Sequence, residues 1–143
     1  MATTIYDTTF SHDWNVREGK ADGKLQCSHF TTLRLYSDKY KPGTIHRIWN
    51  NKIKGKPDNK GYATVITRLH FQLKDLEKND VLCRLDTGLD WHETKSLLLR
   101  LYKDSNINED TWFCFALFRY LTKLEIQVMT DKMKNDSQTN LVS

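Results

Sequence analysis

The sequence predicts a small α+β domain, built as a curled antiparallel sheet or partial barrel with helices at its ends. Three observations carry that expectation. Between residues 30 and 71, runs of β-branched and aromatic residues alternate with turn formers. After residue 90 comes one well-capped stretch with helical spacing, and residues 112–120 form a dense aromatic run suited to a buried strand. At 143 residues the chain holds one ordinary core and no internal repeat.

Residues 1–29 are poor in apolar side chains and place Gly19 and Gly23 among charges, so they are predicted as an N-terminal arm anchored by Phe10 and Trp14. Phe30–Tyr36, FTTLRLY, reads as a strand with Phe30, Thr32, Arg34 and Tyr36 on one face and Thr31, Leu33 and Leu35 on the other. Lys41-Pro42-Gly43 makes a turn, because proline presets φ and glycine accepts the positive φ that follows. A second strand is expected from Thr44 to Trp49, a lysine-rich loop over 50–61, and a central strand over Tyr62–Phe71, which carries bulk on both faces.

Residues 73–88 read as short helical turns stopped at Gly88. Asp90–Lys103 is the best helix: Asp90 and Glu93 have capping-box spacing, and Trp91, Leu98, Leu101 and Tyr102 form the apolar stripe. The late strand runs from Trp112 to Tyr120, and residues 131–143 are predicted to be a flexible tail beyond a domain of residues 30–130.

Composition narrows the function classes. Hydrophobic residues are 38% and charged residues 28%, with a mean hydropathy of -0.65, a globular balance that excludes disordered and collagenous classes. No run approaches the roughly 18 apolar residues of a bilayer span, and the first residues lack the pattern of a signal peptide, so a cytoplasmic protein with no membrane contact is expected. Cys27, Cys83 and Cys114 lie far apart without a C-x-x-C pair, and the five histidines fall in no ligand motif, so no metal and no cofactor is expected. Dinucleotide, triphosphate and hydrolase-elbow glycine motifs do not occur.

The net charge of +4 is unevenly spread. Lys39, Lys41, Arg47, Lys52, Lys54, Lys56 and Lys60 face only Asp58 across residues 39–60, a local balance of +6 on a body whose remainder sums to -2. Such a strip attracts phosphate and points to nucleic acid, with a solvated solubility loop as the plainer reading.

The ordered series FTTLRLYSDKYKPG, GYATVITRLHFQL, LDTG and LLLRLY resembles the ASCH family of the PUA-like superfamily over about Phe30–Leu121. The resemblance implies a small curled β-barrel with flanking helices and an association with RNA, modified nucleosides and RNA modification. One branch of that family removes the acetyl group from 4-acetylcytidine with a threonine nucleophile, a lysine and a carboxylate. Carried onto this chain, these fall on Thr32, His29 and the region of Asp86, so an imidazole stands where the family has an amine. A hydroxyl nucleophile needs an adjacent base, and imidazole is one, but it does not supply the lysine's cation.

Each residue also has a plain structural role to fill. Thr32 suits a strand, Asp86-Thr87-Gly88 is an ordinary turn, His29 suits the surface, and Trp49, Tyr62 and Trp112 belong to a core before they belong to a stacked base. An arginine aimed into a barrel mouth demands an anionic partner, which marks Arg34. The leading expectation is an RNA- or nucleoside-binding module: Thr32, Arg34 and Asp86 at a cleft, with the basic strip on phosphate. The alternatives are amide hydrolysis on a modified cytidine and a protein-binding or inhibitory module.

Overall fold

The structure, a computed structural model, describes residues 3–11, 23–53 and 55–142, with side chains through residue 135. Five strands, β1 (Ile5–Phe10), β2 (His29–Leu35), β3 (Ile45–Asn50), β4 (Asp58–Gln72) and β5 (Trp112–Tyr120), form one mixed sheet in the order β1-β3-β4-β5-β2. Helices α1 (Asp80–Thr87), α2 (Trp91–Leu101) and α3 (Lys123–Val142) complete the α+β architecture. Only the β1–β3 pair is parallel.

The N-terminal region supplies a strand where an arm was expected. In β1 the residues Thr8 and Phe10 are buried while Asp7 and Thr9 are exposed, a period of two too short and too polar to stand out in the sequence. Trp14, Gly19 and His12 lie outside the described residues. The chain beyond residue 130 is helical through Val142 rather than a tail. The turn at Gly43 (φ 90), the αL cap at Gly88 (φ 87) and the full Asp90–Glu93 capping box form as expected, although Leu97 and Leu98 are the buried leucines of α2 and Leu101 is exposed.

Two register shifts, at Ile48/Trp49 in β3 and Val65/Thr67 in β4, place bulges near the middle of the sheet. Bulges increase local twist, and the sheet curls. Its concave face collects Phe10, Phe30, Ile48, Ala63, Val65, Ala116 and Phe118 into one core. The convex face packs Phe71, Phe113 and Phe115 with Leu73, Leu76, Cys83 and Leu98, the residues of α1, α2 and the turns before them. The curl brings β1 and β2 toward each other, with Phe10 and Phe30 ring centroids 5.9 Å apart, but the two share no ladder and the sheet is not closed into a barrel.

No helix among the described residues is long and apolar enough to cross a membrane. No group of three or more His, Cys, Asp or Glu side chains among them is placed to hold a metal ion.

Candidate functional site at the open seam

The gap between the two edge strands is laced by cationic side chains instead of backbone hydrogen bonds. Arg34 on β2 donates from Nη2 to the Thr9 carbonyl (2.7 Å) and from Nε to Thr32 Oγ1 (2.9 Å), and its guanidinium lies 4.7 Å from the Phe10 ring centre. Farther along, Lys39 Nζ donates to the Asp7 carbonyl (3.3 Å). Two carbonyls of an unpaired strand edge are thereby satisfied, which is what an exposed edge otherwise leaves undone. Burial holds the Lys39 ammonium below its usual range, and the nearby Arg34 charge pushes it further down.

A cavity of about 250 Å³ opens at this seam. Its polar end holds Lys24, Thr32, Arg34 and Asp86, and its apolar wall is Leu97, Leu98 and Leu101 of α2. Thr32 and Arg34 share a face of β2 by strand alternation, as the sequence predicts. Asp86 reaches the cavity from the last turn of α1, where it accepts a hydrogen bond from Thr31 Oγ1 (2.8 Å). Thr94, also lining the cavity, is buried with no oxygen or nitrogen partner for its hydroxyl, and the weakly bonding Cys83 thiol is what stands beside it.

Lys24 is the residue that sequence reasoning missed. It sits in a 3-10 turn over Gly23–Gln26 that follows from Gly23 (φ 59) and is anchored by buried Leu25, whose carbonyl accepts from Tyr120 Oη at 2.7 Å. The turn delivers Lys24 Nζ to 2.6 Å from Asp86 Oδ1 and 5.3 Å from the Phe10 ring centre, with both side chains nearly fully buried. Burial holds the Lys24 amine below the ordinary lysine range, Asp86 pulls it back up and Arg34 adds a further depression. The buried Lys-Leu pair after a glycine was the only signal, and it lay inside a charged stretch that reads as loop.

Other expectations are corrected here. His29, at the start of β2, is exposed, bonded to Ser28 Oγ (3.0 Å), and does not line the cavity. Arg34 has no carboxylate partner among the described residues; the carboxylate of the cavity belongs to Lys24. Trp112, expected in the core, is 52% exposed at the end rung of β5, on the face opposite the Phe113 and Phe115 core. Trp49 and Tyr62 are half-buried, with Trp49 Nε1 donating to Asp7 Oδ1 at 2.9 Å.

The basic strip is partly neutralised. Arg47 Nε stands 3.3 Å from Asp7 Oδ1, Lys60 Nζ is 2.7 Å from Asp58 Oδ2, and Lys39 is spent on the seam. Lys41, Lys52 and Lys56 are exposed, and Lys54 lies outside the described residues.

The fold and seam thus define an α+β domain with a polar cavity at the open edge of a curled sheet. Compared with family models, curated proteins and solved structures, the chain matches none of them.

Proposed function

We propose that the seam cavity binds a nucleobase-bearing ligand, with the chain acting as an RNA- or nucleoside-binding module of the PUA-like, ASCH type, its barrel left open along one seam. The observation that carries this reading is the convergence of Thr32, Arg34, Asp86 and Lys24 on one small cavity with an apolar wall. Donors and acceptors of both charges at one end suit the edge of a base, and the leucines of α2 suit its face. A volume of 250 Å³ lies below the range of about 300–1,000 Å³ typical of drug-sized ligands, which favours a single base with its sugar over a longer segment inside the cavity. The exposed Lys41 and Lys56 remain available to phosphate.

Calorimetry with cytidine and its 5′-phosphate tests the reading. Arg34→Met, which keeps the stem and removes the donors, is expected to lower affinity tenfold or more, consistent with roughly 1.5–3 kcal/mol for a charged hydrogen bond, with a smaller loss of Tm from the loosened β1 edge. Leu101→Trp, at an exposed position on the cavity rim, should block binding without touching the core. Full affinity in both variants would refute the cavity as the binding site.

A second reading is favoured by one specific feature, the presence of Lys24 in the same cavity as Thr32. Thr32 Oγ1 accepts from Arg34, so its own proton is available to a base. An amine depressed by burial fits that role, with Arg34 donors near a developing oxyanion. Acetate release from 4-acetylcytidine tests this. Hydrolysis that is lost in Lys24→Met and Thr32→Val and kept in His29→Ala supports an amidohydrolase, whereas an inactive parent that binds cytidine supports the binding module.

A further inference from the structure

At the end of the concave face away from Phe30, the sheet presents a second set of residues. Tyr36 continues β2 beside Trp112, its amide donating to the Trp112 carbonyl (3.1 Å), and Trp112 is paired with Gln72 and Cys114 with His70 across to β4. Alternation puts Tyr36 and Trp112 on the same face as Arg34, Cys114 and Ala116, yet they are 44% and 52% exposed. The side chains around them are fixed. The Arg68 guanidinium lies 5.1 Å from the Tyr36 ring centre and donates to the Ser37 carbonyl (2.9 Å), while His70 meets Tyr36 edge-to-face at 4.8 Å.

Charge and shape at this end are those of a nucleic-acid surface. Arg68 meets no carboxylate among the described residues. Of the acids nearby, Asp110 is paired with Lys74 (3.0 Å), and Asp38 accepts from the Tyr36 hydroxyl (3.3 Å), which fixes that ring. The rung of Tyr36, Trp112 and Gln72, with His70 and Arg68 behind it, contains no aliphatic side chain that a hydrophobic protein partner would need to bury. It offers aromatic faces and a guanidinium, the two elements that hold unpaired bases and their phosphates.

We propose that this end of the sheet docks a short stretch of single-stranded nucleic acid, with Tyr36 and Trp112 stacking bases and Arg68 holding phosphate. The inference shares the nucleic-acid reading above but rests on a different part of the molecule, and it does not require the cavity to be filled. Fluorescence anisotropy with labelled hexamers of uridylate and of thymidylate, at about 50 mM salt where phosphate contacts are strong, tests it.

Trp112→Ala and Tyr36→Ser are each expected to weaken hexamer binding about tenfold or more, the usual loss for one stacked base, while Trp112→Phe keeps most of the affinity and all three retain the parent's Tm and cytidine affinity. Unequal binding of the two hexamers in the parent tells RNA from DNA. Parent-like hexamer affinity in Trp112→Ala and Tyr36→Ser would overturn the proposal. A parent that binds cytidine but neither hexamer would overturn it too and leave the cavity reading standing. A parent that dimerises through Trp112 in sedimentation, with no hexamer bound, would reassign the surface to a protein contact.

Discussion

The two faces of the sheet are both aromatic but are built to different rules. On the convex side Phe71, Phe113 and Phe115 pack against leucines of the helical layer, where the buried polar groups are the Cys83 thiol, the Thr94 hydroxyl and, at the seam, the Asp86 carboxylate of α1. On the concave side, Phe10, Phe30 and Phe118 share their core with the buried polar groups Thr8, Lys24, Thr32, His46 and Asn50. Buried apolar area stabilises without specifying a ligand, whereas buried polar groups cost free energy unless each is partnered. The convex face therefore carries stability, and the concave face spends part of that stability on a polar seam.

Three measurements sharpen or break this division. The largest effect is expected from Phe113→Ala, a fully buried ring of the convex core, which should lose about 4 kcal/mol in urea unfolding, within the usual 3–5 for such a truncation. A loss near 1 kcal/mol would mean the convex core is not the main source of stability. Next, Asp86→Leu leaves Lys24 buried without its carboxylate and is expected to cost about 3 kcal/mol, much of it recovered in the Lys24→Met/Asp86→Leu double variant. Failure of the double variant to recover would show that the pair stabilises the fold and is not merely a mutual neutralisation.

The smallest of the three is a pH effect. His46 is fully buried, with Thr8 Oγ1 donating to its Nδ1 (2.7 Å) and its Nε2 donating to the Lys39 carbonyl (2.9 Å), a tautomer assigned from these partners. Burial lowers its pKa from 6.5 to about 4. The unfolded chain binds this proton first, so the stability is fully present above pH 6.5 and is lost as pH falls toward 4, by about 2 kcal/mol at pH 5. His46→Phe should flatten that slope in chemical denaturation between pH 7 and pH 5. An unchanged slope would assign the effect elsewhere.

What the sequence showed and what it concealed follow the same division. Strong local signals survived: the aromatic density of β5, the Gly88 stop, the Asp90 cap and the alternation that puts Thr32 and Arg34 together. Each depends on neighbours within a turn or two. The relations that make the site are long-range and have no local signature. Lys24 meets Asp86 across 62 residues, Arg34 meets the Thr9 carbonyl across 25, and Thr8 meets His46 across 38. The resemblance puts the lysine slot three residues before Thr32, where this chain has His29. The fold brings an amine from a different turn instead.

A strand that is zipped by backbone on one side and held by two long side chains on the other is the piece of the sheet with the least to lose by leaving. Among the described residues β1 has β3 as its only ladder partner, and Arg34 and Lys39 hold the other edge. Its amides should therefore exchange with solvent through a partial opening well below global unfolding, while those of β4 and β5 exchange only with the whole domain. Because Thr9, Phe10 and Ser11 form one wall of the cavity, that opening also dismantles the site, and any ligand that fills the cavity must slow the exchange of β1 by the factor with which it binds.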